Sequence, residues 1–471
     1  MHGDSSDPNS SRQRSAYGER FRENPAILDL MEDLDRGLNP PARKGADASA
    51  AAEAPAMLML GGGNPGRIPE VEAALRSEME RLMADGDRFE RMIGIYDHPQ
   101  GSREFREACA ELLHRECGWP VDAEMIALTN GSQSAFYQLF NLFGGQDAGG
   151  RMRRILLPMT PEYIGYADAG MDRDLFEALP ARIESLEHGE AGVAGAPEFR
   201  YLPDFAAIEE RLLDDGAEHR DSGRGPIGAL CLSRPTNPSG NVVSDADLTR
   251  LSELAQAAGV PLILDCAYGL PFPGLDYTNR STPFWNPNTI VTLSLSKAGM
   301  PGVRTGIVVA DRETAAALRR MNAVMNLSGG GVGPALARRM IASGELTRLS
   351  REVIRPYYAQ KATAARSRLQ AALADLPCRL HASEGAFFLW LWCRDAPVDS
   401  QGLYERLRER GVLVVPGQHY FPGLPADADF GSGAERHRRE CLRISFALDE
   451  ATVAAGLDRI ADLLHRIYAA A

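Results

Sequence analysis

The sequence predicts an α/β fold in which a mostly parallel central sheet carries helices on both faces, with a smaller α+β domain packed beside it. Three observations lead there. Between Val121 and Ala310, short continuous apolar runs end repeatedly at polar or Gly-rich loops. Amphipathic stretches separate several of these runs, and the C-terminal part mixes strands with helices. Strands that are apolar throughout belong in a parallel sheet covered on both faces.

Taken in order, the opening residues 1–20 are rich in Ser, Arg and Asp and are expected to be disordered. Apolar residues Ile27, Leu28, Leu30, Met31 and Leu34 give 26–38 a helical pattern, and the Ala/Pro-rich stretch 40–56 reads as a flexible insertion. The expected strands are Met125–Leu128, Ile155–Leu157, Ile227–Leu232, Pro261–Leu264, Ile290–Leu293 and Ile307–Val309. Ser134–Phe143 and Asp245–Ala258 are the clearest helices among them. Residues 188–198, 214–226 and 425–440 are polar and Gly-rich, and read as surface loops. A long helical region, 346–373, leads to strands at Ala386–Trp392, Leu413–Val415 and Leu442–Phe446 and helices at Ser400–Arg410 and Glu450–Ala469.

Composition narrows the function. With 471 residues, 44% hydrophobic and 24% charged, the chain can bury two sizeable cores. A formal charge of −13 argues against nucleic-acid partners. The polar N-terminus has no apolar core of a signal peptide, and no apolar run is long enough to span a bilayer, so a cytoplasmic protein with no membrane partner is expected. The seven cysteines form no C-x-x-C pair, and no His/Cys cluster has zinc-site spacing, so neither a disulfide framework nor a metal is expected.

In parallel sheets, ligands bind beyond the carboxyl ends of the strands. After Met125–Leu128 comes Thr129-Asn130-Gly131-Ser132-Gln133-Ser134 and then a helix. A Gly turn at a helix N-terminus favours a phosphate, although plain capping by Ser132 is the ordinary alternative. Asp265 and Tyr268 follow Pro261–Leu264; a buried carboxylate there needs a partner, and a salt bridge would serve as well as a ligand. Ser294-Leu295-Ser296-Lys297 follows Ile290–Leu293, with Arg304 seven residues on. A lysine that closes an apolar strand is harder to read as a solvated surface charge. The turn Pro235-Thr236-Asn237-Pro238-Ser239-Gly240 follows Ile227–Leu232 and could be merely rigid. Arg443, inside an apolar run, needs an anion, which a structural Asp or Glu could also supply.

Together these features give a phosphate cradle, a lysine amine, an acid, a phenol and an arginine for a carboxylate. That set matches the needs of pyridoxal 5′-phosphate acting on amino acids. The order and spacing of Asn237-Pro238-Ser239-Gly240, Asp265-x-x-Tyr268, Ser294-x-Ser296-Lys297 and the late Arg443 closely resemble the fold-type-I aminotransferases, and the resemblance runs from about Phe21 onward. Segments such as IALTNGSQSAF (126–136), PEYIGYADAG (161–170), SRPTNPSGN (233–241) and EGAFFLWLW (384–392) resemble members that exchange amino groups between valine or alanine and pyruvate or 2-oxoisovalerate.

The resemblance implies a role for each residue. Lys297 forms the internal imine and shuttles a proton; Asp265 pairs with the pyridinium nitrogen; Tyr268 and Asn237 bond the ring oxygen. Tyr163 stacks on the ring, with Tyr166 close enough to compete for that role. Ser132, Gln133, Ser294, Ser296 and Arg304 bind the phosphate. Arg443 clamps the substrate carboxylate, aided by Asn237 and the Gly63 backbone. Tyr96 reaches the phosphate of a neighbouring subunit, which implies a homodimer. The implied domain plan assigns 21–95 and 345–471 to the small domain and 96–344 to a large cofactor-binding domain.

Rival readings exist. Gly61-Gly62-Gly63-Asn64-Pro65-Gly66 fits a dinucleotide-binding G-x-G-x-x-G, but Pro65 and Pro69 would remove helix donors where that motif needs them. A β-lyase or decarboxylase would use the same Lys and Asp. A regulator carrying a DNA-binding module would need more N-terminal sequence than the short polar segment offers.

Overall fold

All six apolar runs between Val121 and Ala310 form strands in the computed structural model, which describes residues 14–22, 28, 31–32, 57–186, 196–213, 225–425 and 434–470. In chain order the strands are β1 (Leu58–Met59), β2 (Ile126–Thr129), β3 (Gly145–Gln146), β4 (Met152–Thr160), β5 (Phe176–Pro180), β6 (Arg182–Leu186), β7 (Glu198–Leu202), β8 (Ile227–Ser233), β9 (Leu262–Asp265), β10 (Thr289–Ser294), β11 (Gly306–Val309), β12 (Cys378–His381), β13 (Phe388–Cys393), β14 (Val412–Leu413), β15 (Val415–Pro416) and β16 (Cys441–Ser445).

The larger sheet has the order β2-β11-β10-β9-β8-β4-β3, with β5 also on β4. β10, β9, β8, β4 and β5 pair in parallel, whereas β11 runs antiparallel to both neighbours. Every residue of β2, β8, β9, β10 and β11 is buried, which is why these runs are apolar without alternation. Register sets the strand ends side by side: Asp265 lies between Ser233 and Thr292, and Gly306 between Ser294 and Thr129.

Helices cover this sheet with the expected periodicity. Ser132–Phe143 buries Ala135, Phe136, Leu139 and Phe140. Asp245–Ala257 buries Leu248, Leu251, Leu254 and Ala255, and starts where Ser244 Oγ accepts from the Asp247 amide at 3.1 Å. The long helical region is interrupted. A π-turn, Ser350–Ile354, joins Glu345–Leu349 to Arg355–Ala372, and Pro356 lacks the amide that would close a regular turn there.

The second sheet has the order β15-β16-β13-β12-β7-β6. Helix Arg355–Ala372 packs on β13 and against Glu450–Ala469. Its β6–β7 hairpin was not anticipated. It lies within the 96–344 stretch, yet β7 pairs in parallel with β12 and so joins the C-terminal strands. β1 pairs with β14, bringing the N-terminal segment to the same side.

Several loop expectations change. Glu198 opens β7 rather than closing a loop, and Ala434–Glu440 is a helix; residues 187–195, 214–224 and 426–433 lie outside the described residues. Within the expected disordered N-terminus, Ala16–Glu19 and Arg20–Arg22 are helical. They are held by the Tyr17 and Tyr137 hydroxyls, 3.1 Å apart, and by Arg20 donating to the Gly170 carbonyl. Of the expected helix 26–38, only residues 28, 31 and 32 are described, all helical, and 40–56 lies outside the described residues. Among the described residues no helix is long and apolar enough to cross a membrane.

Candidate active site

The aligned strand ends gather the chemistry. Asp265 closes β9 and is buried, where an unpaired carboxylate would cost several kcal/mol. Oδ1 accepts from the Ala267 amide at 2.9 Å and Oδ2 from the Tyr166 hydroxyl at 2.8 Å. Burial still outweighs these bonds and the nearby Lys297, and pushes the carboxyl up to about 6. A cation placed beside it would therefore have a large effect on its ionisation.

Lys297 sits in a short 3₁₀ turn, Ser296–Ala298, that ends at Gly299 with φ 100°. Its Nζ donates to the Gly63 carbonyl at 2.6 Å and lies 5.4 Å from the Tyr268 ring centre and 5.8 Å from that of Phe387. Burial, then the positive charges of Arg443 and Arg304, lower its pKa to about 8 despite Asp265. The amine is thus far more available near neutrality than that of a surface lysine.

Next to it lies an anion cradle. Gly131, at φ 81°, occupies the N-cap of helix Ser132–Phe143, and no side chain caps that terminus. Ser132 is therefore the first helical residue and does not cap, so the ordinary alternative for this motif is not realised. The Arg304 guanidinium lies so close over Gly131 that a Cβ there would collide with Nη2. Arg304 Nη1 reaches Ser296 Oγ at 3.3 Å, and Ser294 Oγ accepts the Ser296 amide at 3.1 Å. On the facing strand, a Cβ at Gly306 would stand 2.7 Å from the Ser132 nitrogen. Uncapped helix amides, the positive dipole end, a guanidinium and hydroxyls suit a phosphate. The Gln133 side chain turns away, donating to the Gly165 carbonyl at 2.6 Å, so its backbone amide is what it presents to the cradle.

Arg443, buried in β16, donates from Nη1 to Asn237 Oδ1 at 2.8 Å and from Nη2 to the Gly61 carbonyl at 2.6 Å. Its guanidinium stacks 4.2 Å from the Phe388 ring centre and 5.3 Å from that of Tyr420. Nε is buried without a partner, and among the described residues no carboxylate pairs with this arginine. A buried cation without a counter-ion costs several kcal/mol, so the site is built to take an anion.

The tyrosines separate by position. Tyr166 is fully buried against Phe136 and Phe140 and is committed to Asp265. Tyr163 is half-buried, edge-on to Tyr166, and in the field of Asp265, Arg443 and Arg304. Tyr268 packs on Phe387 and Phe388 beside Lys297. Tyr96 is 80% exposed.

Two residues escaped the sequence reading. Glu162 is fully buried; it accepts from the Ser233 amide at 2.8 Å, the Ser233 hydroxyl at 2.5 Å and the Tyr163 amide at 3.3 Å. Burial drives its carboxyl up to about 8, with Asp265 adding to the rise. Its position just past β4 was a signal of the same kind as that of Asp265. Tyr420 beside Arg443 had no local signal. The glycine run 61–66, meanwhile, is no dinucleotide loop. Its carbonyls at Gly61 and Gly63 serve Arg443 and Lys297, and the next helix starts only at Pro69.

The comparisons agree with this geometry. Residues 194–460 match the model for aminotransferase class I and II. The chain is 39% identical over 97% of its length to valine–pyruvate aminotransferase of Escherichia coli K12, covering 99% of that protein. It resembles a solved putative amino-acid aminotransferase from Psychrobacter arcticum with TM-score 0.86 and 38% identity, covering 97% of this chain and 99% of the other. The solved valine–pyruvate aminotransferase of Salmonella typhimurium LT2 gives TM-score 0.77 and 38% identity, with 94% and 99% covered. With a phosphate cradle, a buried amine and an acid arranged to suit pyridoxal 5′-phosphate, the chain belongs to the class I and II aminotransferases, enzymes that depend on that cofactor.

Proposed function

We propose that this aminotransferase exchanges an amino group between a small neutral amino acid, valine or alanine, and a 2-oxo acid, pyruvate or 2-oxoisovalerate. The observation that carries the reading is Arg443, a buried guanidinium with a free Nε, enclosed by Phe388 and Tyr420. It suits one α-carboxylate, and its aromatic surroundings offer nothing to a second. The identity to a protein named for valine and pyruvate supports the same choice.

Pyridoxal phosphate, when bound, supplies a conjugated sink for the electron pair left when the amino acid loses its Cα proton. Lys297 would hold the cofactor through Nζ. The Ser132 and Gln133 amides, Ser294, Ser296 and Arg304 would hold its phosphate. Asp265 would face the pyridine nitrogen and keep a proton there. Tyr268 and Asn237 would donate to the ring oxygen; with its Oδ1 engaged by Arg443, Asn237 has its amide group left for that bond. Tyr163, on the open side of Tyr166, would lie on the ring face. Arg443, with Asn237 and the Gly63 backbone, would orient the α-carboxylate so that the Cα hydrogen points at Lys297. The amine, with its pKa lowered to about 8, is then suited to take and return that proton.

Steady-state assays of valine, aspartate and glutamate against pyruvate, and of alanine against 2-oxoisovalerate, test the reading. The neutral donors should have the higher kcat/KM, and 2-oxo acid should appear in step with alanine consumed or formed. Aspartate or glutamate outperforming valine would refute the specificity, and release of ammonia in place of transfer would indicate a lyase.

We further infer a homodimer with shared sites, in which Tyr96 reaches the partner's cofactor phosphate. Ile93, Ile95, Tyr96, Val324 and Leu327 are each exposed large apolar side chains, of the kind that an interface would cover. The 328–331 stretch links this region to the cradle: the Gly330 amide donates to Asn130 Oδ1 at 3.1 Å, and a Cβ at Gly331 would stand 3.2 Å from the Met92 carbonyl oxygen. Seven free thiols, six of them buried, support a reducing, cytoplasmic setting.

A further inference from the structure

Tyr420 ends the short turn Gly417–Tyr420 that follows β15, and two contacts fix its backbone. A Cβ at Gly417 would lie 2.7 Å from the Cys441 carbonyl oxygen, so the turn is seated on β16 beside Arg443. The Tyr420 carbonyl accepts from the Glu162 amide at 2.8 Å, which ties it to the segment carrying Tyr163.

The side chain is fully buried. Its ring stands edge-on to Trp390 with centroids 5.6 Å apart, and Trp390 is the register partner of Arg443 across β13 and β16. The Arg443 guanidinium carbon is 5.3 Å from the ring centre. Arg443, Tyr163 and Tyr268 are the groups whose charge states the phenol feels, all three of them in the cleft. Yet the hydroxyl has no hydrogen-bond partner, like Nε of the arginine packed against it.

Packing alone does not account for this arrangement. Phenylalanine would fill the same space against Trp390 without the free-energy cost of burying an unmatched hydroxyl. Two unmatched donors in adjacent buried side chains, one of them cationic, call for a shared anionic acceptor. We propose that Tyr420 is a substrate-binding residue whose hydroxyl joins Arg443 in holding the α-carboxylate of the amino acid and of the 2-oxo acid. This rests on the reading of Arg443 as the carboxylate clamp. The pair then discriminates amino acids from simple amines at two points, and it constrains rotation of the carboxylate that a single arginine would permit.

The test uses the holoenzyme and isovalerate, an unreactive carboxylate with the branched skeleton of valine. Its affinity is measured by calorimetry, and the melting temperature is recorded with and without it, for the parent, Tyr420→Phe and Arg443→Gln. Tyr420→Phe without isovalerate should melt no lower than the parent, because only an unpaired hydroxyl has gone. Its Kd for isovalerate should rise about tenfold, as loss of a charge-assisted bond requires, and the melting shift should shrink accordingly. A rise of less than threefold, with binding lost in Arg443→Gln, overturns the Tyr420 role and leaves the clamp standing. Unchanged binding in Arg443→Gln removes the clamp and this inference with it.

Discussion

The hydroxyl of Tyr166 donates to Asp265 Oδ2 at 2.8 Å from a ring that is itself locked between Phe136 and Phe140. The bond favours the ionised carboxyl, opposing the burial that lifts it to about 6. Removing the donor in Tyr166→Phe should raise that pKa further, because the anion loses a stabilising contact and the acid does not. In the cofactor-free protein, an infrared titration of this carboxyl should therefore move to higher pH. Its ionised fraction at pH 6 should fall about tenfold or more, the size of a hydrogen bond to a charged group. A superimposable profile from Tyr166→Phe would show that the bond has no part in setting the charge of Asp265.

Glu162 makes the stability of the cofactor-free protein depend on pH. An unfolded glutamate titrates near 4.3, so between roughly pH 4.5 and 8 the folded protein holds a proton that the unfolded chain has lost. The stability this residue contributes is complete below that window, declines as pH rises through it, and is gone above about 8. Glu162→Gln keeps an acceptor for the Ser233 amide and carries no titrating proton. It should come close to the parent at pH 4 and exceed it at pH 9 by on the order of a few kcal/mol in urea unfolding. Parallel stability curves for the two proteins would exclude a buried neutral acid at this position.

Shared sites predict complementation. Lys297→Ala should be inactive, and Tyr96→Ala should bind cofactor less tightly, by roughly 1.5–3 kcal/mol for one charge-assisted contact. In a hybrid dimer of the two, one site combines an intact Lys297 with the partner's intact Tyr96. Unfolding and refolding the variants together should therefore restore sites of normal cofactor affinity. Confirmed hybrids that regain nothing would mean that Tyr96 serves its own chain.

Legibility in the sequence followed locality. β8, β9 and β10 are uninterrupted apolar runs because both faces are covered, so the strands, and the polar residues that end them, stand out without any knowledge of their neighbours. Asp265 and Lys297 were legible for that reason. The β6–β7 hairpin was not. Its strands mix charge with apolar residues (Arg182, Glu184, Arg200), and the strand that completes its pairing, β12, lies far along the chain. Tyr166 was legible as an aromatic near the site, but its bond to Asp265 depends on how β4 and β9 are arranged in the sheet. The hydroxyl of Tyr420 gains meaning only from Arg443 and Trp390, which two other strands deliver.

That hairpin bears on how the protein can be divided. A cut at residue 345 looks natural along the chain, since it separates the larger sheet from the C-terminal strands. It would also remove β7 from β12. The Leu380 and Ala382 amides would lose their acceptors, the Pro197 and Phe199 carbonyls, at 3.1 and 2.8 Å. His381 would lose Asn241 Oδ1, 3.1 Å from its Nε2, and with it a tie to the turn that carries Asn237. The released piece would present an open sheet edge, a template for pairing with other chains. The two halves are interleaved, so their relative orientation, and with it the distance between the lysine and the carboxylate clamp, is set by sheet pairing as well as by the connections along the chain.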